Sequence, residues 1–87
     1  MIIIFSRNFE KEVDKLPAKI KEMLKNKLEI FRVDPYNQVL KNHKLKGTLR
    51  HYRSINISGD YRLFYESHDE DTIRLLRIGT HSELYGK

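Results

Sequence analysis

The sequence of 87 residues contains no cysteine, so it can form neither a disulfide bond nor a thiolate metal site. This agrees with a reducing compartment, and we expect a cytoplasmic protein. The longest apolar run is the N-terminal segment 1–5, which polar and charged residues follow at once. A secretory signal needs an apolar core of about 7–15 residues, and a membrane helix needs about 20. We therefore expect no membrane association and interpret this run as a buried strand.

The chain also lacks internal repeats, low-complexity tracts and linkers, and its length is that of one domain covering residues 1–87. Lysine and arginine outnumber aspartate and glutamate by 17 to 12, which gives a net charge of +5. A small basic domain attracts polyanions, of which nucleic acid is the commonest in a cytoplasm. Charge that serves solubility alone explains the same excess equally well.

The first half of the chain shows helical periodicity. Apolar residues spaced by four and then three positions predict a helix over 8–16, begun by a capping Ser6 or Asn8. Pro17 interrupts this pattern, but proline suits the first turn of a new helix. The periodicity then resumes, so we predict a second helix over 18–32 and an α-hairpin. Its lysines lie on other faces, which we interpret as solvated; contact with an RNA backbone is the alternative.

The second half of the chain shows the alternation of strands. We predict strands over 50–57 and 60–66, joined by a two-residue turn at Ser58-Gly59, because glycine supplies the positive φ that such turns need. A further strand is predicted over 72–78, after a polar, acidic turn. The segment 36–47, between the helices and these strands, is predicted to be an irregular loop that has room for one short turn.

Together these elements predict an α+β fold. The N-terminal segment 2–5 is another strand, and residues 81–85 form a short C-terminal helical turn. Each helix has a single apolar stripe, so the α-hairpin must pack on one face of a mostly antiparallel sheet. The other face stays open to the loop 36–47 and to the tail 79–87, and a ligand would lie there.

Several residues of the second half suit proton transfer and phosphate binding. His43 lies in the basic loop, and His81 follows a glycine at a strand end. Tyr85 comes one helical turn after His81 and shares its face. Histidine transfers protons near neutral pH, and arginine binds a phosphate through two hydrogen bonds. The candidate set also contains Asp60, after the hairpin turn, and five cations: Lys44, Lys46, Arg53, Arg62 and Arg77.

These groups are what cleavage of RNA requires. The 2′-hydroxyl attacks the neighbouring phosphate, a base takes its proton, an acid protonates the leaving 5′-oxygen, and cations stabilise the charge, with no metal or other cofactor. A basic domain with ordinary surface histidines and arginines is the competing interpretation. The four histidines show no paired metal spacing, and we expect His51 and His68 to take no part in catalysis.

Longer motifs resemble a known family. They are Asn42-His43-Lys44-Leu45-Lys46-Gly47, Tyr52-Arg53, Gly59-Asp60-Tyr61-Arg62-Leu63-Phe64-Tyr65 and the segment 75–85. With the early helical hairpin, they resemble the toxins of type II toxin–antitoxin systems in the RelE/ParE superfamily, and most closely its YafQ-type branch. The Leu-Lys-Gly and Gly-Asp-Tyr-Arg-Leu segments are shared across the superfamily, whereas the two histidine-containing motifs are narrower and favour that branch.

The resemblance implies an endoribonuclease, an mRNA interferase, that enters the ribosomal A site and cuts the mRNA there. It also implies a cognate antitoxin and a toxin–antitoxin complex that binds operator DNA. By the same resemblance His43 and His81 match catalytic histidines, which we assign to general acid and base. Asp60 matches a catalytic carboxylate, and Tyr85 matches an aromatic position. Asn56 stands where the YafQ-type pattern has a further histidine.

Two other functions remain open from the sequence. A ParE-type toxin has the same fold but inhibits DNA gyrase without nuclease activity, and a non-enzymatic basic domain binds nucleic acid. The pair of histidines argues against the gyrase inhibitor, because binding gyrase needs no proton donors. Arg62 likewise has two possible uses, since it can bind a phosphate or pair with an acidic group of the fold.

Overall fold

The chain folds in the order strand, two helices, four strands and a short helix in the computed structural model, which describes residues 1–86. Two 3-10 turns, Gln38–Leu40 and Gly47–Leu49, flank the second strand. No helix within the described residues is both long and apolar enough to span a bilayer. The elements are β1 (Ile2–Phe5), α1 (Arg7–Asp14), α2 (Ala18–Val33), β2 (His43–Lys44), β3 (Arg53–Ser58), β4 (Tyr61–Asp69), β5 (Thr72–Thr80) and α3 (His81–Tyr85).

The five strands form one sheet in the order β1-β5-β4-β3-β2. β1 runs parallel to β5, with Ile2 opposite Thr72 and Phe5 opposite Leu75, whereas every other neighbouring pair is antiparallel. This confirms the predicted α+β class, the mostly antiparallel sheet and the short C-terminal helix. The predicted burial of the N-terminal strand is wrong, because β1 lies at the edge of the sheet and Ile2, Ile4 and Phe5 are exposed.

The main core lies between the sheet and the α-hairpin, on the face where the sequence predicts it. Phe9 of α1 and Phe31 of α2 are almost completely buried against Ile55, Leu63 and Leu75 of the three central strands. Burying one such side chain stabilises the fold by about 1.5–3 kcal/mol, so this layer determines how the helices sit. Both helices lie within two residues of their predicted ends.

α1 covers the edge of β5 beyond the point where β1 ends. Ser6 begins this helix, and its Oγ donates to the carbonyl of Leu76 at 3.1 Å. Glu12, on the next turns of the helix, accepts a hydrogen bond from the Ile78 amide at 3.0 Å. The same carboxylate lies 2.8 Å from the guanidinium of Arg77. The helix thereby satisfies polar groups that a sheet edge would otherwise leave to solvent or to another chain.

The strand predicted over 50–57 begins three residues later, at Arg53. A 3-10 turn precedes it instead, and the amide of Tyr52 donates to the carbonyl of Leu49 at 2.9 Å. The loop predicted over 36–47 is also more regular than expected, because it contains the short strand β2 as well as one 3-10 turn. β2 adds a strand of two residues to the edge of the sheet and so places part of this loop beside β3.

The hairpins differ from the prediction in register. The β3–β4 turn is Gly59-Asp60, one residue later than predicted, because a bulge between Asn56 and Ser58 shifts the pairing. Gly59 has a φ of +53°, a conformation in which glycine carries no steric penalty. β4 runs past its predicted end to Asp69, because the acidic turn after it is shorter than predicted, and β5 continues to Thr80, where α3 begins.

Candidate active site

The face of the sheet opposite the α-hairpin carries a second, smaller apolar cluster. Leu45, Phe64 and Leu84 are buried there, with Leu49 and Tyr52 packed around them. Leu84 belongs to α3, so this cluster holds the C-terminal helix against β4 and β5. The remainder of this face, which we call the open face, carries the polar side chains described below.

A reciprocal cap fixes the start of α3. The hydroxyl of Thr80 accepts a hydrogen bond from the Glu83 amide at 3.2 Å, and the Glu83 carboxylate accepts one from the Thr80 amide at 2.7 Å. A Cβ at Gly79 would lie 2.9 Å from that carboxylate, so the absence of a side chain there lets the cap close. The amide of His81, the first residue of α3, donates to the Asp60 carbonyl at 3.1 Å.

The cap predicts a pH effect on α3. Hydrogen bonds to Thr80, above all from its backbone amide, hold the pKa of Glu83 below the usual carboxyl range. The cap therefore stabilises the folded protein at neutral pH, and this contribution is lost as the pH falls through the lowered pKa. Gly79→Ala displaces the carboxylate, so we expect the pKa of Glu83 to rise towards its ordinary value in an NMR titration.

Glu83→Gln is the matched control, because glutamine keeps an acceptor oxygen but does not titrate. Its stability should therefore fall less on acidification than that of the unchanged protein, as measured by denaturant unfolding. An unchanged Glu83 titration in the Gly79→Ala protein would contradict this role of the cap.

His81 and Tyr85 stack on one side of α3. Their ring centroids lie 4.3 Å apart, with an angle of 34° between the planes. Tyr85 in turn meets the buried ring of Phe64 edge-on, at 5.4 Å. His81 is exposed to solvent, so its imidazole has an aromatic support on one side and access to a ligand on the other.

His43 begins β2 opposite Ser54, and so lies on the open face. Its Nδ1 is 2.9 Å from the carbonyl oxygen of Lys41, which adopts a left-handed backbone conformation with φ of +50°. A carbonyl oxygen can only accept, so Nδ1 carries the hydrogen and Nε2 of the neutral ring keeps a free lone pair. This tautomer is the one a general base needs on its exposed side.

A shallow pocket of about 100 Å³ joins His43 to the centre of the open face. It is lined by Lys41, His43, Asn56 and Arg62. Arg62 donates to the Gly59 carbonyl at 2.8 Å, and within residues 1–86 no carboxylate forms an ion pair with it. The pocket therefore combines two cations with a histidine and an amide, and it has room for a phosphate group.

The two histidines of the open face do not touch. His43 lies on β2 and His81 follows β5, and three inter-strand spacings separate those strands, about 14 Å in all. Arg62 and Asn56 lie on the strands between them. The pocket beside His43 includes Asn56 and Arg62 of these intervening strands, and His81 is not among its lining residues.

Two of the predicted arginines lie elsewhere. Arg53 shares its side of β3 with Ile55 and faces the α-hairpin layer, where its Nε donates to Asn42 at 2.8 Å. Arg77 is bound to Glu12 at the edge of β5, and its pKa is raised by that hydrogen-bonded carboxylate. Both guanidinium groups thus already have partners inside the fold, and the structure does not bring them to the pocket.

The remaining predicted residues are exposed. Lys44 stands opposite Arg53 in the β2–β3 pair, and Lys46 precedes the second 3-10 turn, so neither lines the pocket. Asp60 lies on the β3–β4 turn beside His81, with its side chain in solvent. Within residues 1–86 no three histidine, aspartate or glutamate side chains are placed to hold a metal ion.

Two features of the site were missed in the sequence. The buried ring of Phe64 packs against Tyr85. The alternation of β4 puts Phe64 on the same face as Arg62, and this pattern could have identified Phe64 as part of the site. Lys41 contributes a carbonyl through an unusual backbone conformation, and no side-chain pattern signals a positive φ at a lysine.

Comparison with known proteins gives consistent matches. The model of a family described as "Bacterial toxin of type II toxin-antitoxin system, YafQ" matches residues 2–86. The mRNA interferase toxin YafQ of Escherichia coli strain K12 is 33% identical over 88 residues, which cover 97% of this chain and 95% of that protein.

Solved structures agree with these matches. YafQ from E. coli strain BL21(DE3) superposes with a TM-score of 0.79 at 27% identity, over 97% of each chain. The E. coli DinJ–YafQ complex contains a chain that superposes with a TM-score of 0.71 at 28% identity, over 97% of each chain. The YoeB/ParE toxin of Agrobacterium tumefaciens superposes with a TM-score of 0.76 at 17% identity, over 93% of this chain and 99% of that chain. At this identity the match shows only that the two proteins share a fold. The predicted resemblance and the RelE/ParE-like fold are confirmed.

Proposed function

The chain belongs to the YafQ family of toxins from bacterial type II toxin–antitoxin systems, and we propose from this that it is an mRNA interferase, an endoribonuclease that cuts mRNA to stop translation. The strongest support for the proposal comes from the surroundings of His43. His43 presents a free Nε2 lone pair beside a phosphate-sized pocket that holds Arg62, which is the arrangement needed to deprotonate a ribose hydroxyl next to a bound phosphate.

His43 is the general base of the proposed reaction. Its Nε2 accepts the proton of the 2′-hydroxyl, and the 2′-oxygen forms a bond to the adjacent phosphorus. Arg62 and Lys41 stabilise the added negative charge on the phosphate oxygens, because both cations border the pocket. The bond to the 5′-oxygen then breaks and leaves a 2′,3′-cyclic phosphate.

His81 is the general acid. In its protonated form it gives a proton to the leaving 5′-oxygen, so one proton is taken and one returned in each cleavage. Tyr85 holds the imidazole by stacking at 4.3 Å, and the carbonyl of Asp60 on the adjoining turn accepts a hydrogen bond from the His81 amide at 3.1 Å. Asn56 hydrogen-bonds the substrate in the pocket but transfers no proton, so two histidines perform the chemistry.

The proposed substrate is mRNA in the ribosomal A site, in the cytoplasm. The net charge of +5 favours approach to ribosomal and messenger RNA, and Lys41 adds positive charge at the pocket beside His43. The second partner is a cognate antitoxin, as in the E. coli complex of YafQ with DinJ. Covering the open face would block the pocket, and the complex of toxin and antitoxin binds operator DNA.

A purified translation system tests this function. We expect primer extension to show cuts in mRNA on ribosomes programmed with a vacant A site, with 2′,3′-cyclic phosphate ends, and no cuts when ribosomes are omitted. The same protein should leave DNA gyrase supercoiling unchanged. Intact mRNA together with inhibited supercoiling would overturn the proposal in favour of a ParE-type toxin, and intact mRNA with neither effect would leave only nucleic-acid binding.

A further inference from the structure

A hydrogen-bond network lies immediately behind His43, on the helix side of the sheet. Asn42 donates from Nδ2 to the Pro35 carbonyl at 2.8 Å and to the Tyr65 hydroxyl oxygen at 2.7 Å. Its Oδ1 accepts from the Nε of Arg53 at 2.8 Å. The Arg53 guanidinium also lies over the ring of Tyr36, 5.3 Å from its centroid. One short side chain thus ties the end of α2, β3 and β4 together.

The orientation of the Asn42 amide follows from its partners. The Nε of Arg53 can only donate, so the atom that meets it must be the amide oxygen. The amide nitrogen then faces a carbonyl and a phenol oxygen, both of which accept. Burial raises the pKa of the Tyr65 phenol, which keeps that group neutral. Asn42 therefore makes three geometrically consistent hydrogen bonds.

His43 depends on this network because little else holds its backbone. β2 contains two residues, which pair with Ser54 and Arg53 of β3. Lys41, on the other side of Asn42, is in the left-handed conformation, which costs a lysine free energy and persists only where neighbouring contacts impose it. The Lys41 carbonyl is also the group that sets the His43 tautomer.

We infer that Asn42 is a positioning residue, which anchors the segment 41–43 so that the Lys41 carbonyl binds Nδ1 of His43 and Nε2 faces the pocket. The inference rests on the proposed role of His43 as the base and adds what holds that base in place. Asn42 itself faces the helix side of the sheet and touches no substrate. Asn42 therefore affects cleavage only through the orientation of the His43 imidazole.

A double-mutant cycle measures this dependence. Asn42→Ala removes all three hydrogen bonds, and a displacement of about 1 Å at a reacting group lowers the rate roughly 100-fold. We expect a fall of that order in kcat for mRNA cleavage, with KM little changed. In a His43→Ala protein the same substitution should have no further effect. An equal loss in both backgrounds would overturn the inference.

Three further variants separate positioning from stability. Asn42→Asp keeps the bond to Arg53 and can accept from the Tyr65 hydroxyl, but it cannot donate to the Pro35 carbonyl, so it should retain more activity than Asn42→Ala and less than the unchanged protein. Tyr65→Phe removes only the bond between Tyr65 and Asn42 and should lower kcat less than Asn42→Ala does, which keeps the test valid if Asn42→Ala unfolds. Asn37→Ala is the matched control, because Asn37 caps the preceding 3-10 turn without touching the network, and we expect it to leave cleavage unchanged.

A spectroscopic readout is independent of cleavage. Nitrogen-15 NMR of the His43 ring should show the hydrogen on Nδ1 in the unchanged protein and a shift towards the other tautomer in Asn42→Ala. If the tautomer shifts but His43→Ala still cleaves mRNA, the proposed catalytic role fails and the positioning stands. If His43→Ala is inactive but Asn42→Ala changes neither tautomer nor rate, the positioning role fails.

Discussion

Replacing His43 and His81 together with alanine is expected to lower mRNA cleavage by more than about 100-fold, and by up to about 10⁴-fold. This is the range over which positioned acids and bases accelerate proton transfer. The 2′-hydroxyl would lose its base and the 5′-oxygen its acid, while Arg62 would still bind the phosphate. Cleavage of ribosome-bound mRNA by the purified variant gives the rate, and growth after induction gives the effect in cells.

The chain offers matched controls for this substitution. His51 and His68 are also exposed histidines, but they lie in the turn before β3 and near the far end of β4, away from the pocket. His51→Ala and His68→Ala should therefore keep full activity. Because both site histidines are exposed, the double variant should fold normally. If it arrested growth as strongly as the unchanged protein, the acid–base assignment would be wrong.

Phe64→Ala should destabilise the protein by about 3–5 kcal/mol, the usual cost of removing a buried phenyl ring. Phe64 is only 2% exposed, and it fills the space between Leu45 and Leu84 beneath α3. The loss leaves a cavity between the helix and the sheet, so α3 is the element most affected. Denaturant unfolding, followed by fluorescence or circular dichroism, measures the change.

A milder substitution separates the support of the site from stability. Phe64→Leu keeps most of the apolar volume but removes the edge contact with Tyr85. We expect the folded variant to cleave mRNA clearly more slowly, because Phe64 no longer packs against the stacked rings of Tyr85 and His81. Phe9→Leu is the matched control, since Phe9 is 1% exposed in the other core layer. Equal activity in the two leucine variants would show that cleavage does not depend on the contact between Phe64 and Tyr85.

The sequence predicted best those features that depend on local periodicity. Phe9 and Phe31 mark the buried stripes of α1 and α2, and the alternation of β4 placed Arg62 and Leu63 on opposite faces. These patterns repeat over several residues, so a single irregular position does not obscure them. The two faces of the sheet could therefore be assigned from the order of the residues alone.

Features that depend on one backbone conformation or on a distant partner were not predictable. The bulge near Asn56 and the left-handed Lys41 each concern one residue, and neither alters the apolar pattern. Arg77 binds Glu12 across sixty-five positions of sequence, so nothing in its neighbourhood distinguishes it from a solvent-facing arginine. Motifs with His43 and His81 indicated the family, but the pocket that His43 shares with Arg62 could be recognised only in the folded sheet.

The parallel pairing of β1 with β5 has a consequence for the order of assembly during translation. Ser6 bonds to a carbonyl seventy positions later, so the first strand is synthesised long before its partner. Contacts of such high sequence separation form late, because a long loop must close first. His81 follows β5 in the chain, so the proposed acid–base pair of His43 and His81 cannot form on a nascent chain in which β5 has not yet been synthesised. A ribosome must therefore synthesise the chain through His81 before the product can use this pair to cleave RNA.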